Sequence, residues 1–267
     1  MNGQSIREDL GLGKTEGLIH RNDLENKDNP DTMESMEAKD RIVMAATRLF
    51  SGKGYDATSV NEIAREANVT KALIYYYFKG KEDILDYLVQ SLMKNFTSIA
   101  LDFIHQNIVQ MIRDGQLDIE PDRLRVANDE AIRIFLRNAD AMYHKILSYS
   151  LEYKAIFRIL MLESLKNSKH HYDLFHLMAV KGSEDNPIIR TISEADKDFT
   201  FTNDMLLFEM FFAYIPFVSF VAYHDDFKEL SGRSDEELYD LFIQSFRIIM
   251  SSLVSGRDIL LKNRIEY

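Results

Sequence analysis

The sequence predicts an all-α fold, with an N-terminal three-helix helix-turn-helix domain followed by a larger C-terminal helical domain. Three observations carry that expectation. From Ile42 onward apolar residues recur at helical spacing almost to the end of the chain, no run alternates with a strand's period of two, and only 4 Pro and 11 Gly interrupt 267 residues. With 46% hydrophobic and 28% charged residues, the chain has enough apolar surface for a buried core.

Residues 1–35 show no sustained period and are rich in Asn, Asp, Gly and Glu, so a flexible arm is expected there. They also lack the apolar run of a secretory leader, which fits a cytoplasmic protein. Ile42, Ala45, Ala46, Leu49 and Phe50 then form the stripe of a first amphipathic helix, closed by Gly54. Ser59 is placed to cap a second helix, Glu62 to complete its capping box, and Val60, Ile63, Ala64 and Ala67 repeat the stripe. Asn68 tolerates the left-handed conformation of a tight turn. Thr70 caps a third helix from Lys71 to Phe78, ended by Gly80. A long helix starts near Lys81 and carries Ile84, Leu85, Leu88, Leu92, Phe96 and Ile99, and later breaks are expected near Gly115 to Pro121, Asn167 to His171, Gly182 to Pro187 and Ser231 to Ser234. The expected organisation is therefore an arm (1–35), a helix-turn-helix domain (36–83), a helical body (84–257) and a tail (258–267).

Composition excludes several classes of chemistry. Without cysteine there is no disulfide scaffold, thiol nucleophile or Cys-ligated metal. Gly13-Lys14-Thr15 resembles the end of a phosphate loop, but Glu8 stands where that loop needs glycine, and no strand precedes it. No GxSxG or dinucleotide fingerprint is present, so neither an enzyme nor a bound cofactor is expected. The seven histidines include the pair His170-His171 but no HxxxH or HExxH spacing, which leaves no metal site to predict. The apolar stretch from Met210 to Tyr223 is shorter than the roughly 18 residues of a membrane span and reads as a buried helix.

The net charge of −11 is unfavourable for binding nucleic acid, yet it is unevenly spread. Residues 37–83 carry eight Lys/Arg against seven Asp/Glu, which leaves that segment at +1 and the remainder at −12. On the third helix Lys71, Ala72, Tyr75 and Tyr76 share one face, while Leu73, Ile74 and Phe78 point to the other and can pack on Ile63, Leu49 and Phe50. A tyrosine hydroxyl can bond phosphate while its ring meets sugar or a thymine methyl, and Lys79 and Lys81 add charge for the backbone.

The run Gly54-Tyr55-Asp56-Ala57-Thr58-Ser59-Val60, followed by Ile63-Ala64, Ala67-Asn68-Val69-Thr70-Lys71 and Tyr75-Tyr76-Tyr77-Phe78-Lys79-Gly80-Lys81-Glu82, resembles the N-terminal domain of TetR-family regulators. The resemblance covers about a sixth of the chain. It implies that Lys71, Ala72, Tyr75 and Tyr76 approach bases and phosphates in the major groove of a near-palindromic operator. It further implies that Ser59, Thr70, Tyr77 and Lys81 grip the backbone. Ala72 and Asn68 stand where the family usually has glycine and Tyr77 where it has histidine, which leaves the operator sequence open.

The resemblance also implies a homodimer that senses a small molecule, with the long helix as the lever. The segments Thr202 to His224 and Asp235 to Ser255 look like the family's dimer helices. Phe208, Phe211, Ile215, Phe220, Leu238, Phe242, Phe246 and Ile249 are the expected interface, although core within one subunit is the other reading of those stripes. The body's Phe103, Met111, Phe135, Met142, Tyr143, Phe157, Met161, Phe175, Met178, Phe212 and Tyr214 suit a hydrophobic effector, and suit plain core packing equally. Pro216 either widens a pocket or makes a tolerated bend. Control by a protein partner, or activation in place of repression, is not separated by sequence.

Overall fold

In the computed structural model the described residues are 37–120, 123–166, 170–172, 174 and 186–260, so the expected arm and residues 261–267 lie outside them. The chain runs α1 (Ala38–Lys53), α2 (Val60–Glu66), α3 (Lys71–Tyr77), α4 (Lys81–Phe103), a π-helical segment π1 (Ile104–Val109) and α5 (Gln110–Arg113). After β1 (Leu117–Glu120) and β2 (Arg123–Val126) come α6 (Asp129–Glu152), α7 (Lys154–Ser164) and α8 (Pro187–Ala195). The last part holds α9 (Asn203–Glu209), a second π-helical segment π2 (Met210–Tyr214), α10 (Ile215–Ala222), α11 (His224–Ser231), α12 (Asp235–Ser252), β3 (Val254–Ser255) and β4 (Asp258–Leu260). The all-helical expectation holds for most of this, and the small sheet is the departure from it.

Two compact units are present. The first contains α1 to α3, α4 as far as Asn95, and the segment from Tyr149 that includes α7. Helix α1 buries Ile42, Ala45, Ala46 and Phe50, and α7, which buries Ile156, Phe157, Ile159 and Leu160, packs on it. Removing such side chains from water is worth about 1.5–3 kcal/mol each, which is why a helix from far along the chain belongs with the N-terminal three. The expected boundary after residue 83 therefore leaves out a packing partner.

The second unit spans Phe96–Ser148 and the chain beyond Phe175. Its sheet has the order β1-β2-β4-β3 with every pairing antiparallel. The register places Leu117 opposite Val126, and Leu124 between Ile119 and Ile259. That apolar face packs with Ile108, Met111, Ile132 and Phe135. The other face carries Glu120, Arg123, Arg125 and Asp258 in mutual ion pairs, with Arg125 Nη1 2.8 Å from Glu120 Oε1. Strand β4 starts where a tail was expected. Helix α5 ends on Gly115 at φ +65°, where Gln116 N–H bonds Met111 O and Gly115 N–H bonds Ile112 O, turning the chain into β1.

Both π-helical segments have a local cause. The Asn107 side chain donates to Phe103 O at 3.1 Å and accepts from Asn138, which interrupts the regular ladder of π1. Segment π2 lies just before Pro216, which cannot donate to the Phe212 carbonyl and whose ring would collide with it, so the wide turn absorbs the proline. The continuous run Asn203–Ala222 is long and apolar enough for a membrane span by composition. Here Met205, Met210, Tyr214, Phe217, Val218, Phe220 and Val221 are buried.

Candidate nucleic-acid interface

At seven residues α3 is far shorter than the roughly 12–15 that an isolated helix needs to persist in water, so its surroundings must hold it. Thr70 Oγ1 accepts from Leu73 N–H at 3.2 Å, capping its start. Ile74 and Phe78 are buried, and the Tyr87 ring meets Phe78 edge-on at 5.7 Å. The turn before it is closed by Asn68 at φ +51°, with Val69 N–H bonded to Ala64 O and Asn68 N–H to Arg65 O. This is the six-to-one and five-to-two pattern of a Schellman turn, made with asparagine in place of glycine.

With Ile74 and Phe78 turned inward, geometry leaves the opposite face in solvent. Lys71, Ala72, Tyr75 and Tyr76 are all exposed, Tyr76 at 78%. The Tyr77 ring stands edge-on to Tyr76 at 4.9 Å, and Lys71 Nζ lies 5.9 Å from the Tyr75 ring centre. Thr70 and Lys79 flank the face and are exposed as well. The arrangement offers phenol hydroxyls, flat rings and two ammonium groups on one short protruding helix, a set that bonds phosphate and packs on base edges.

Two of the expected backbone contacts are engaged elsewhere. Lys81 Nζ donates to the carbonyls of Tyr55, Asp56 and Thr58 at 2.9, 3.2 and 3.0 Å and lies 4.4 Å from the Tyr55 ring centre. An ammonium has three protons, and here all three serve the loop between α1 and α2. Ser59 is the N-cap of α2: its Oγ accepts from Glu62 N–H and donates to Glu62 Oε2 at 2.8 Å, while its own N–H donates to the same oxygen at 2.9 Å. The Lys53 ammonium joins them. That bond first, and then those from Ser59, hold the Glu62 carboxyl down to about 2.

The candidate effector residues that are described divide between the two units. Phe103, Met111 and Phe135 belong to the apolar cluster beneath the sheet. Tyr143 stacks on Phe246 at 3.4 Å and meets Phe217 edge-on, and burial pushes its hydroxyl up. Tyr214 is buried, Met142 half-buried and Phe212 exposed. Phe157 and Met161 fall in the first unit, and Phe175 and Met178 lie outside the described residues. The candidate dimer residues divide too. Phe211 and Ile215 are exposed and Phe208, Phe242, Phe246 and Ile249 half-buried, whereas Phe220 and Leu238 are buried in the protomer and have no face to offer a partner. Leu241, on the expected second stripe, is exposed, as are Leu207 and Ile248, which sequence did not single out.

A family model for bacterial regulatory proteins of the tetR family matches residues 42–88, from α1 into α4. The chain is 30% identical over 142 residues to the "Probable HTH-type transcriptional regulator YttP" of Bacillus subtilis (strain 168), covering 51% of this chain and 68% of that one. It is 36% identical over 86 residues to the biofilm operon icaADBC HTH-type negative transcriptional regulator IcaR of Staphylococcus aureus (strain Newman), covering 28% of this chain and 46% of that one. Among solved structures, the fatty acid degradation regulator FadR of Bacillus halodurans aligns over 80% of this chain and 95% of that one at 16% identity and a TM-score of 0.45, too distant to bear on ligand or mechanism.

Two outcomes follow from the local bonds. A carboxyl whose folded value is depressed stabilises the fold above its unfolded value and stops doing so as pH falls toward the folded one. Between pH 4.5 and about 2 the chain should therefore lose stability relative to Glu62→Gln in urea unfolding at fixed salt. A constant difference across that window would remove the capping box as a support of α2. Lys81→Ala should cost roughly 1–3 kcal/mol in the same assay, because three carbonyls lose a charged donor. Unchanged stability would mean that the loop does not depend on it.

Proposed function

Because the chain belongs to the TetR family of bacterial regulatory proteins, we propose that it is a ligand-responsive transcriptional repressor, a cytoplasmic homodimer that leaves its DNA operator when a small apolar effector binds. The observation that carries the reading is the α3 face, where Lys71, Ala72, Tyr75 and Tyr76 stand in solvent because Ile74 and Phe78 anchor the other side. In this reading the face enters the major groove, with Thr70, Tyr77 and Lys79 at the flanking phosphates. The N-terminal segment at +1 meets the duplex, while the charge of −12 on the remainder disfavours any other orientation. The relative IcaR is by name a negative regulator, and repression is carried over from it.

Dimerisation supplies the second reading head. Leu207, Phe211, Phe212 and Ile215 on the α9–α10 run, and Leu241 and Ile248 on α12, leave apolar side chains in water, with Phe211 64% and Ile248 71% exposed. Exposed side chains of that size on neighbouring elements fit a surface that a second copy covers. Helix α4 is unbroken over 23 residues, about 35 Å at 1.5 Å per residue, so a displacement at one end is transmitted to the other. Operator half-sites about 34–36 Å apart then fit only one separation of the heads. An effector that binds the other state more tightly releases the DNA. The aromatic and Met side chains of the second unit favour an apolar effector, and no step of this reading involves catalysis.

Tyr76→Ala should weaken binding to a duplex selected from a random pool about tenfold by gel shift, with the melting temperature unchanged. Equal affinity would take Tyr76 out of the interface. Phe211→Glu with Ile248→Glu should convert a dimer to a folded monomer in sedimentation, because two charges would be buried unpaired in each protomer's face. Persistence of the dimer would move the interface elsewhere.

A further inference from the structure

The loop that joins α1 to α2 delivers Ser59 and the start of the helix-turn-helix, and it is held from two sides. Within the loop, Thr58 N–H bonds Tyr55 O at 3.1 Å, Thr58 Oγ1 bonds Gly54 O at 2.9 Å, and Lys81 gathers three of its carbonyls. From the far side comes the segment after α7. Lys166 Nζ donates to Asp56 Oδ2 at 2.8 Å and to Glu163 Oε1 at 2.6 Å, and the His170 ring meets Tyr55 edge-on at 5.8 Å. Lys166 and Asp56 are 110 residues apart, and both belong to the first unit.

The two carboxylates that share Lys166 are unlike. The Glu163 side chain is 1% exposed and that of Asp56 is 72% exposed. An ion pair in water gains little, largely because two long side chains must be fixed to make it. Here the buried Glu163 carboxylate, whose Oε2 has no hydrogen-bond partner among the described residues, already fixes the lysine, since leaving that charge unpaired would cost far more than the lysine's freedom. Lys166 then meets the loop as a preset donor.

We infer that Lys166 is a positioning residue for DNA recognition: anchored on buried Glu163, it clamps Asp56 and so fixes the loop that carries the reading helices. The inference rests on the DNA-binding reading and adds to it a control point outside the helix-turn-helix. The hydrogen bond from Lys166 holds the Asp56 carboxyl below its ordinary range, and the bond to Asp56 first, then that to Glu163, raises the Lys166 ammonium, as a formed clamp requires.

The test is a double-substitution cycle in the full chain, read by affinity for a duplex that the unmodified chain selects from a random-sequence pool and by hydrogen exchange of the Gly54 and Thr58 amides. Lys166→Met should weaken binding about fivefold and speed exchange in the loop, and should have no further effect on affinity in the Asp56→Asn background. Since Lys166→Met alone leaves Glu163 unpaired, the pair Glu163→Gln with Lys166→Met should repeat the loss with an intact melting transition. An equal loss in both backgrounds, with a salt slope lower by about one, would make Lys166 a direct phosphate contact and overturn the clamp. Unchanged affinity and exchange would overturn it as well. If the unmodified chain selects no duplex, the DNA reading falls, and exchange alone decides: a loop no more labile in Lys166→Met removes the clamp, and a labile one keeps it.

Discussion

The whole functional face depends on the anchoring of one helix too short to stand alone. Ile74 and Phe78 are the side chains that α3 and its end give to the core, and their burial decides which way every other α3 residue points. Rotation of the helix by 100°, the step of one residue, in the sense that carries Tyr75 to the buried position of Ile74 would take that ring out of solvent and pull Ile74 from the core. The Schellman turn at Asn68 and the Thr70 cap fix where the helix begins, and Phe78 fixes where it stops. The set of side chains that α3 presents to solvent is thus fixed by apolar burial on its other side.

That anchoring extends beyond the N-terminal helices. Helix α7, remote in sequence, packs on α1, and the residues after it reach the loop that leads into α2. The loop that leads into α2 is therefore held by a side chain 110 positions away as well as by its own neighbours. The second unit is built differently, with two π-helical segments and a charged sheet face. Each of its irregularities traces to a named residue: Asn107, Pro216, and the Arg123, Arg125, Glu120 and Asp258 set.

The elements legible in the sequence were those whose cause is local. The stripe of α1, the Ser59–Glu62 box, the left-handed Asn68, the Thr70 cap and the long α4 all rest on residues within a few positions of one another. The exposed face of α3 follows from its own periodicity. The sheet did not show, because β1 and β2 have four residues each, too few for alternation to stand out, and β4 finds β2 across more than 130 positions. The membership of α7 in the first unit and the Lys166 bridge are invisible for the same reason. The bonds of Lys81 were not legible either, because the carbonyls that engage it belong to a loop more than 20 positions before it. Phe220 and Leu238 lie on stripes wide enough for core and surface, and periodicity alone does not divide the two.

The central claim is that the exposed tyrosine face of α3 covers DNA, and the most direct measurement is site-resolved nitration of tyrosines in the free chain and in its complex with a selected duplex. Tyr75 and Tyr76, both exposed in the free chain, should react there and be protected in the complex, while exposed Tyr172 reacts in both. Equal modification of Tyr75 and Tyr76 with and without bound duplex would contradict the account.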